Sequence, residues 1–199
     1  MKLKLDKFAV ETLNKLEDPG LLLLSTNKAG KNNVMTIGWG LIGIFWRTPM
    51  FMVAVRPSRY THDFIEETNE FTVNVPKDGM EEAVEYCGTV SGRTHDKSKE
   101  CQLTLTKSKH LKTPIIKECT IHYECQVLHK LKVNPKQVPA NIKKELYPKP
   151  NYHTLYYAKI LTVYNQHKST QASVGPARRK KLPPLNRDPH SSTNTHNEK

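Results

Sequence analysis

The sequence predicts a mainly β fold, a closed or split β-barrel with short helices packed on its rim. Three observations carry that prediction. About seven segments of strand length are apolar on one face or on both. Most joins between them are short, which favours antiparallel neighbours. Two further segments switch to a helical period, and they fall between strands rather than in a separate block.

Leu21–Thr26 and Val34–Trp39 read as the first two strands. Between them Asn27-Lys-Ala-Gly30 and Lys31-Asn-Asn33 supply residues tolerant of positive φ, so a hairpin is the natural join. Leu41–Trp46 is a third apolar stretch, ended by Arg47-Thr48-Pro49, and Met50–Val55 is apolar on both faces, as a strand inside a barrel would be. The turn Arg56–Arg59 leads into a helix over Tyr60–Asn69, with Phe64, Ile65 and Thr68 at helical spacing, Thr61 as N-cap and Asp63 in the first turn.

Glu70–Pro76 alternates, placing Phe71, Val73 and Val75 on one face. Over Gly79–Gly88 the period becomes helical, with Met80, Ala83, Val84 and Cys87 in one stripe and Gly88 as the terminating glycine. Gln102–Thr106 and Thr120–His129 alternate again. In the second of these, Cys119, Ile121, Tyr123, Cys125 and Val127 face inward, with Thr120, His122, Glu124 and Gln126 outward. A Pro- and Lys-rich insertion, Lys132–Asn151, has room for a short helix at Ala140–Leu146, and a last strand spans His153–Tyr164.

Of the net charge of +12 over 199 residues, +5 falls between Gln166 and Lys199. This stretch has few large apolar residues and reads as a disordered basic tail after a single domain over 1–165. Its Arg178-Arg-Lys-Lys181 run supplies too few charges for nucleic acid to be an expected partner. The longest near-apolar run, Met50–Val55, is far short of a membrane helix, and Met1–Asp6 lacks the apolar core of a secretory signal. Four cysteines without Cys-x-x-Cys fit reduced, buried thiols and a cytoplasmic protein. His122 and His129 fall on opposite strand faces with no third ligand, so no metal site is expected. No P-loop, dinucleotide fingerprint or nucleophile turn is present.

Three segments combine into a candidate site. Ser58, Arg59 and Thr61, following Arg56, offer hydroxyl and guanidinium donors at the opening of a helix, where a phosphate is favoured. Alternatively, the segment is an ordinary capped turn. Asn33-Val-Met-Thr-Ile-Gly-Trp39 and Ser91-Gly-Arg-Thr-His-Asp-Lys97 are the other two, with Glu70–Pro76 lying between the second and third in chain order. In this order the motifs resemble the flavin reductase-like family of FMN-binding split barrels, the group that includes flavoredoxin, from about Asp18 to Tyr164.

The resemblance implies an FMN-binding split β-barrel and a homodimer with flavin at its interface. The backbone of Met35, Thr36, Ile37, Gly38 and Trp39 would line the ring, with the Thr36 hydroxyl and Asn33 as polar contacts. Trp39 is either an aromatic wall or a core residue. Gly92 would admit close backbone approach, beside Ser91, and Lys97 would place a cation near the flavin. His153 matches a family histidine, though Asn151-Tyr152 replaces the usual Gly-Asp before it. No side chain is expected to act as acid or base, since the chemistry belongs to the cofactor. The implied function is electron or hydride transfer from NAD(P)H or a small redox protein to a flavin or another acceptor. Two alternatives stand beside it: a non-enzymatic flavin-binding or sensor module whose basic tail recruits a partner, and oxidation of a small substrate on the related pyridoxamine-oxidase barrel.

Overall fold

Strand β1 (Leu21–Thr26) is buried along its whole length because both of its faces are covered. Leu21 and Leu23 point into one apolar cluster, Leu22 and Leu24 into another, as the period of two requires. The computed structural model describes residues 6–165, and within them β1 pairs antiparallel with β2 (Asn32–Ile37), from Leu21 opposite Ile37 to Thr26 opposite Asn32. The hairpin between them closes with Asn27 N–H donating to Lys31 O at 2.9 Å.

Next come β3 (Gly40–Phe45) and β4 (Thr48–Val55), helix α2 (Tyr60–Thr68), β5 (Glu70–Val75), α3 (Glu81–Thr89) and the short α4 (Lys97–Glu100). Two-residue strands β6 (Leu105–Thr106) and β7 (Ile115–Ile116) pair with each other. The long strands β8 (Ile121–Lys132) and β9 (Thr154–Asn165) flank α5 (Ala140–Leu146). The main sheet has seven strands in the order β2-β1-β5-β8-β9-β4-β3, every neighbour antiparallel. Its two edges, β2 and β3, are consecutive in the chain and linked by Gly38 and Trp39. Ala54 N–H donates to Trp39 O at 3.2 Å and fastens that link to β4.

The barrel interior holds Phe51, Phe71, Val73, Ile121, Tyr123 and Ile160 among others, each stabilising by about 1.5–3 kcal/mol when fully buried. Phe51 and Tyr123 meet edge to face at 5.3 Å. A second cluster of Leu22, Leu24, Val84, Cys87, Ile116 and Cys119 lies between β1, α3 and β7. All four cysteines are free thiols, and three of them are buried.

Several elements differ from the sequence expectation. An N-terminal helix, α1 (Asp6–Glu17), packs Phe8 and Leu16 against the barrel, and Thr12 Oγ1 pairs with Tyr123 Oη at 2.8 Å. Its apolar face is hard to read because Val10 and Leu13 are exposed. Helix α3 continues past Gly88 to Thr89, so that glycine does not end it. A Cβ at Gly88 would lie 3.2 Å from Thr36 Cβ, and the position serves close approach of α3 to β2.

His122 and Glu124, expected to face outward, are fully buried. The chain between β6 and β7 folds over them: Glu124 accepts from Lys109 N–H at 2.8 Å and His110 N–H at 2.7 Å, and His122 Nδ1 pairs with Asn74 Oδ1 at 2.9 Å. Polar alternation on β8 therefore marks hydrogen-bonded burial rather than a solvent face. Only Leu105–Thr106 of the expected strand Gln102–Thr106 pairs. The short helix in the insertion lies at Ala140–Leu146 as the sequence suggested. The basic tail, with Arg178–Lys181, lies outside the described residues. Among the described residues no helix is long and apolar enough to cross a membrane.

Candidate functional site

A groove follows β2 along the barrel and continues past the start of α2 into the segment 91–97. Two contiguous cavities form it. The first, of about 220 Å³, is lined by Met35 to Trp39 together with Ala54, Arg56, Arg59, Leu146 and His153. The second, of about 60 Å³, shares Met35 and Arg59 with it and adds Asn33, Ser58, Thr61, Ser91, Gly92 and Lys97. Every residue singled out from the three sequence motifs, with His153, thus lines one stretch of surface.

At the first cavity Trp39 is 37% exposed and forms an aromatic wall, not a core residue. Its ring lies 4.6 Å from that of His153 and 6.2 Å from that of Tyr147. The Tyr147 hydroxyl pairs with His153 Nδ1 at 2.8 Å. Burial, aided by the nearby Arg56 and Arg59 cations, pushes the His153 imidazole down to about 3, so it is neutral at physiological pH. Arg56 lies 5.1 Å from the Tyr147 ring and donates to Leu146 O at 2.8 Å and Asn151 O at 3.2 Å. Its guanidinium clamps the insertion over the ring cavity, and burial lowers its pKa. The Thr36 hydroxyl donates to Val84 O and its methyl packs beside Gly20 and Gly88, so its hydrogen is spent on α3 and the residue lines the cavity without that donor.

At the second cavity α2 starts at Tyr60 as expected, but Arg59 and not Thr61 holds the N-cap position, and no side chain caps it. The amide-rich first turn therefore faces the cavity without a side-chain acceptor. Thr61 is fully buried inside that turn rather than capping it, and its Oγ1 accepts from Asn33 Nδ2 at 2.6 Å. Its own hydrogen is left to donate. Ser58 Oγ likewise accepts from Asn151 Nδ2 at 2.7 Å and keeps its hydrogen.

Gly92 is required by space: a Cβ there would lie 1.8 Å from Asn33 Oδ1. Asp63, the acid of the first turn, is neutralised by Arg93 at 2.8 Å. Lys97 is 4% exposed, and burial lowers its ammonium to about 8, with Arg59 pushing the same way and Cys87 opposing. Ser91 Oγ accepts from Arg93 N–H at 3.3 Å and shapes the loop around Gly92.

Sequence reasoning missed Leu146, Tyr147 and the two insertion carbonyls. Their only sequence signal is an aromatic pair, Tyr147 and Tyr152, in a segment otherwise rich in Lys and Pro; the two rings stack at 4.7 Å.

A barrel split along one seam, with an aromatic cavity and a cation-lined cavity in series, defines a protein suited to a flat ring carrying a phosphate. Residues 18–181 match the family model for the flavin reductase like domain, and the chain belongs to the flavin reductase-like family. An uncharacterized protein of Archaeoglobus fulgidus is 34% identical over 155 residues, covering 77% of each chain. The crystal structure of flavoredoxin from Methanosarcina acetivorans superposes with a TM-score of 0.59 at 33% identity, over 74% of this chain and 69% of that one. An FMN-binding protein from Thermus thermophilus, solved with bound 1-cyclohex-2-enone, shares the fold with a TM-score of 0.59 at 19% identity, over 75% of this chain and 71% of that one. The family is flavin-binding, and its members are generally oxidoreductases.

Proposed function

We propose that this protein binds FMN and passes electrons or hydride from NAD(P)H or a small redox protein to a flavin or another acceptor. The observation that carries the reading is the convergence of three sequence-distant segments, 33–39, 56–61 and 91–97, on one groove with an aromatic end and a cationic end. The residues present fit FMN rather than a bare ring. The uncapped α2 turn, the free Ser58 and Thr61 hydrogens and the buried Lys97 ammonium suit a phosphate dianion. Bound FMN supplies the redox chemistry itself.

This chain's residues bind, orient and shield. The β2 backbone and Trp39 present a flat wall, while Leu146 and Tyr147, held by Arg56, restrict access from the insertion side. Neutral His153 adds polarity there without adding charge. The four free thiols support a reducing, cytoplasmic setting.

The same reading includes a homodimer. Edge strand β3 and its turn expose Leu41, Ile44, Phe45 and Trp46, with Ile44 66% and Trp46 59% exposed. Phe45 and Trp46 run on to Tyr157 and His129, so the patch extends from the β3–β4 turn onto β9 and β8. An apolar edge of this extent is a liability unless a partner covers it. A monomer in sedimentation equilibrium at micromolar concentration would overturn the dimer.

The function is tested by a visible spectrum of the purified protein with FMN, before and after anaerobic addition of NADH or NADPH. A flavin band that bleaches supports the reductase and names the donor. A band that ignores both supports the sensor module or a protein donor, and no band overturns the flavin reading.

A further inference from the structure

The insertion between β8 and β9 carries Lys132, Lys136, Lys143, Lys144 and Lys149 against one acid, Glu145. None of the five has an ion-pair partner among the described residues, whereas Lys15, Arg93 and Lys130 pair with Asp78, Asp63 and Glu66. Lys143 and Lys144 lie in the last turn of α5, where a cation suits the helix C-terminus. Lys132, Lys136 and Lys149 lie outside that helix, so its end does not account for them. The segment is also held down. Val133 N–H donates to His153 O at 3.0 Å, Asn134 Oδ1 accepts from Lys136 N–H at 3.0 Å, and Arg56 grips Leu146 O and Asn151 O. The backbone that carries these lysines is therefore fixed at several points.

This cationic segment borders the aromatic end of the groove, because Leu146, at the end of α5, lines the ring cavity. From the insertion a run of rings leads inward. Tyr152 stacks on Tyr147 at 4.7 Å, Tyr147 lies 5.5 Å from His153 and 6.2 Å from Trp39, and Trp39 and His153 line the cavity. Tyr147 and Tyr152 are half-buried, so the run reaches from the surface to the cavity wall. Leu146 and Tyr147 restrict a small substrate on this side, but an electron needs only proximity. Encounters between electron-transfer proteins are small and short-lived, and complementary charge, more than buried area, brings the partners together and orients them. A lysine face beside a redox site fits that kind of encounter, and its complement is acidic.

We infer that the insertion is the docking surface for the electron donor, a small acidic redox protein that carries one electron at a time. The inference rests on the flavin reading above and chooses between the donors left open there. The partner gives up one electron in each encounter, and two encounters, with proton uptake from water, reduce one bound flavin. A second copy of this chain, itself at +12, meets repulsion at such a face.

The probe is an acidic [2Fe–2S] ferredoxin, and the test is the triple variant Lys136→Glu/Lys144→Glu/Lys149→Glu, all three lysines being exposed. A control with the same change of net charge, Lys28→Glu/Lys107→Glu/Lys112→Glu, alters exposed lysines around a separate cavity by the β1–β2 hairpin. Calorimetry measures binding of the oxidised probe, and stopped-flow absorbance follows bleaching of bound flavin by the reduced probe, each at about 0.01 M and about 0.15 M salt. In wild type both affinity and rate should fall tenfold or more at the higher salt. At low salt the insertion variant should lose tenfold or more in both, with FMN affinity within twofold of wild type, while the control stays within threefold. No loss in the insertion variant, or equal losses in the two variants, overturns the docking surface. So does a wild type that binds FMN but neither binds the probe nor takes electrons from it. A change of oligomeric state in the insertion variant alone assigns the face to a second copy and overturns the inference. Failure of wild type to bind FMN overturns the flavin reading and the inference with it.

Discussion

At the aromatic end of the groove, walls come from the link after β2 and from an insertion more than a hundred residues later: Trp39 meets His153 and Tyr147 there, and Arg56 ties the insertion down through two carbonyls. At the cationic end, walls come from two tight local segments, 58–61 and 91–97, fitted to Asn33 with no spare room. The aromatic end offers shape and holds its imidazole neutral, whereas the cationic end offers donors and charge. Its buried polar groups are fixed by one another, so a small change there propagates. At the aromatic end the walls meet mainly through ring contacts and one side-chain pair, Tyr147 with His153, so a change there stays local.

The largest effect expected from this contrast is at Gly92. In Gly92→Ala the new Cβ displaces the Asn33 carboxamide and removes its bond to Thr61. FMN affinity should fall at least a hundredfold by fluorescence titration while far-UV circular dichroism stays unchanged; a loss under tenfold would remove the cationic end from the site.

A sharper test sets Thr61→Ala beside Tyr147→Phe. The first deletes a phosphate donor and leaves Asn33 Nδ2 buried without its acceptor, and should cost about tenfold in FMN affinity, ~1.4 kcal/mol. Arg59→Ala should weaken binding in the same direction. The second removes only the bond to His153 and should change FMN affinity less than threefold, appearing instead in the donor KM. Equal effects at the two ends would break the comparison.

The smallest effect is on stability. With a folded pKa of about 3 against an ordinary 6.5, His153 binds fewer protons folded than unfolded. Its contribution is complete above pH 6.5 and is lost as pH falls from there toward 3. Between pH 6.5 and 5 that loss is on the order of 1–2 kcal/mol, a few degrees in Tm. In His153→Gln that part of the acid slope should disappear; an identical Tm profile for the two proteins would show that His153 is not the buried neutral group described.

Much of this was legible in the sequence, for reasons that differ by region. Strand β5 announces itself by apolar side chains at a period of two, and β1 and β4 by short runs apolar on both faces that only a doubly covered strand can hide. The cationic end was legible because its donors are clustered in two short runs, and the resemblance to the flavin reductase-like family rests on those same runs. Helix α1 was not, since Val10 and Leu13 blur its buried face. Glu124 was misread because alternation cannot say that a loop will lay two backbone N–H groups on a carboxylate.

By itself the sequence determined the barrel class, the position of most strands, and which short segments carry clustered hydroxyl and cationic donors. Local periodicity and turn chemistry act over a few residues, and those features need nothing longer in range. Only the tertiary structure decided that Arg56 holds the insertion instead of facing open solvent, and that the Thr36 hydroxyl is taken by Val84 O. It also decided that Lys97 is buried at the cationic cavity. Each of these depends on residues more than forty positions away in the chain, and burial and contact of that kind are properties of the packed molecule, which no local pattern encodes.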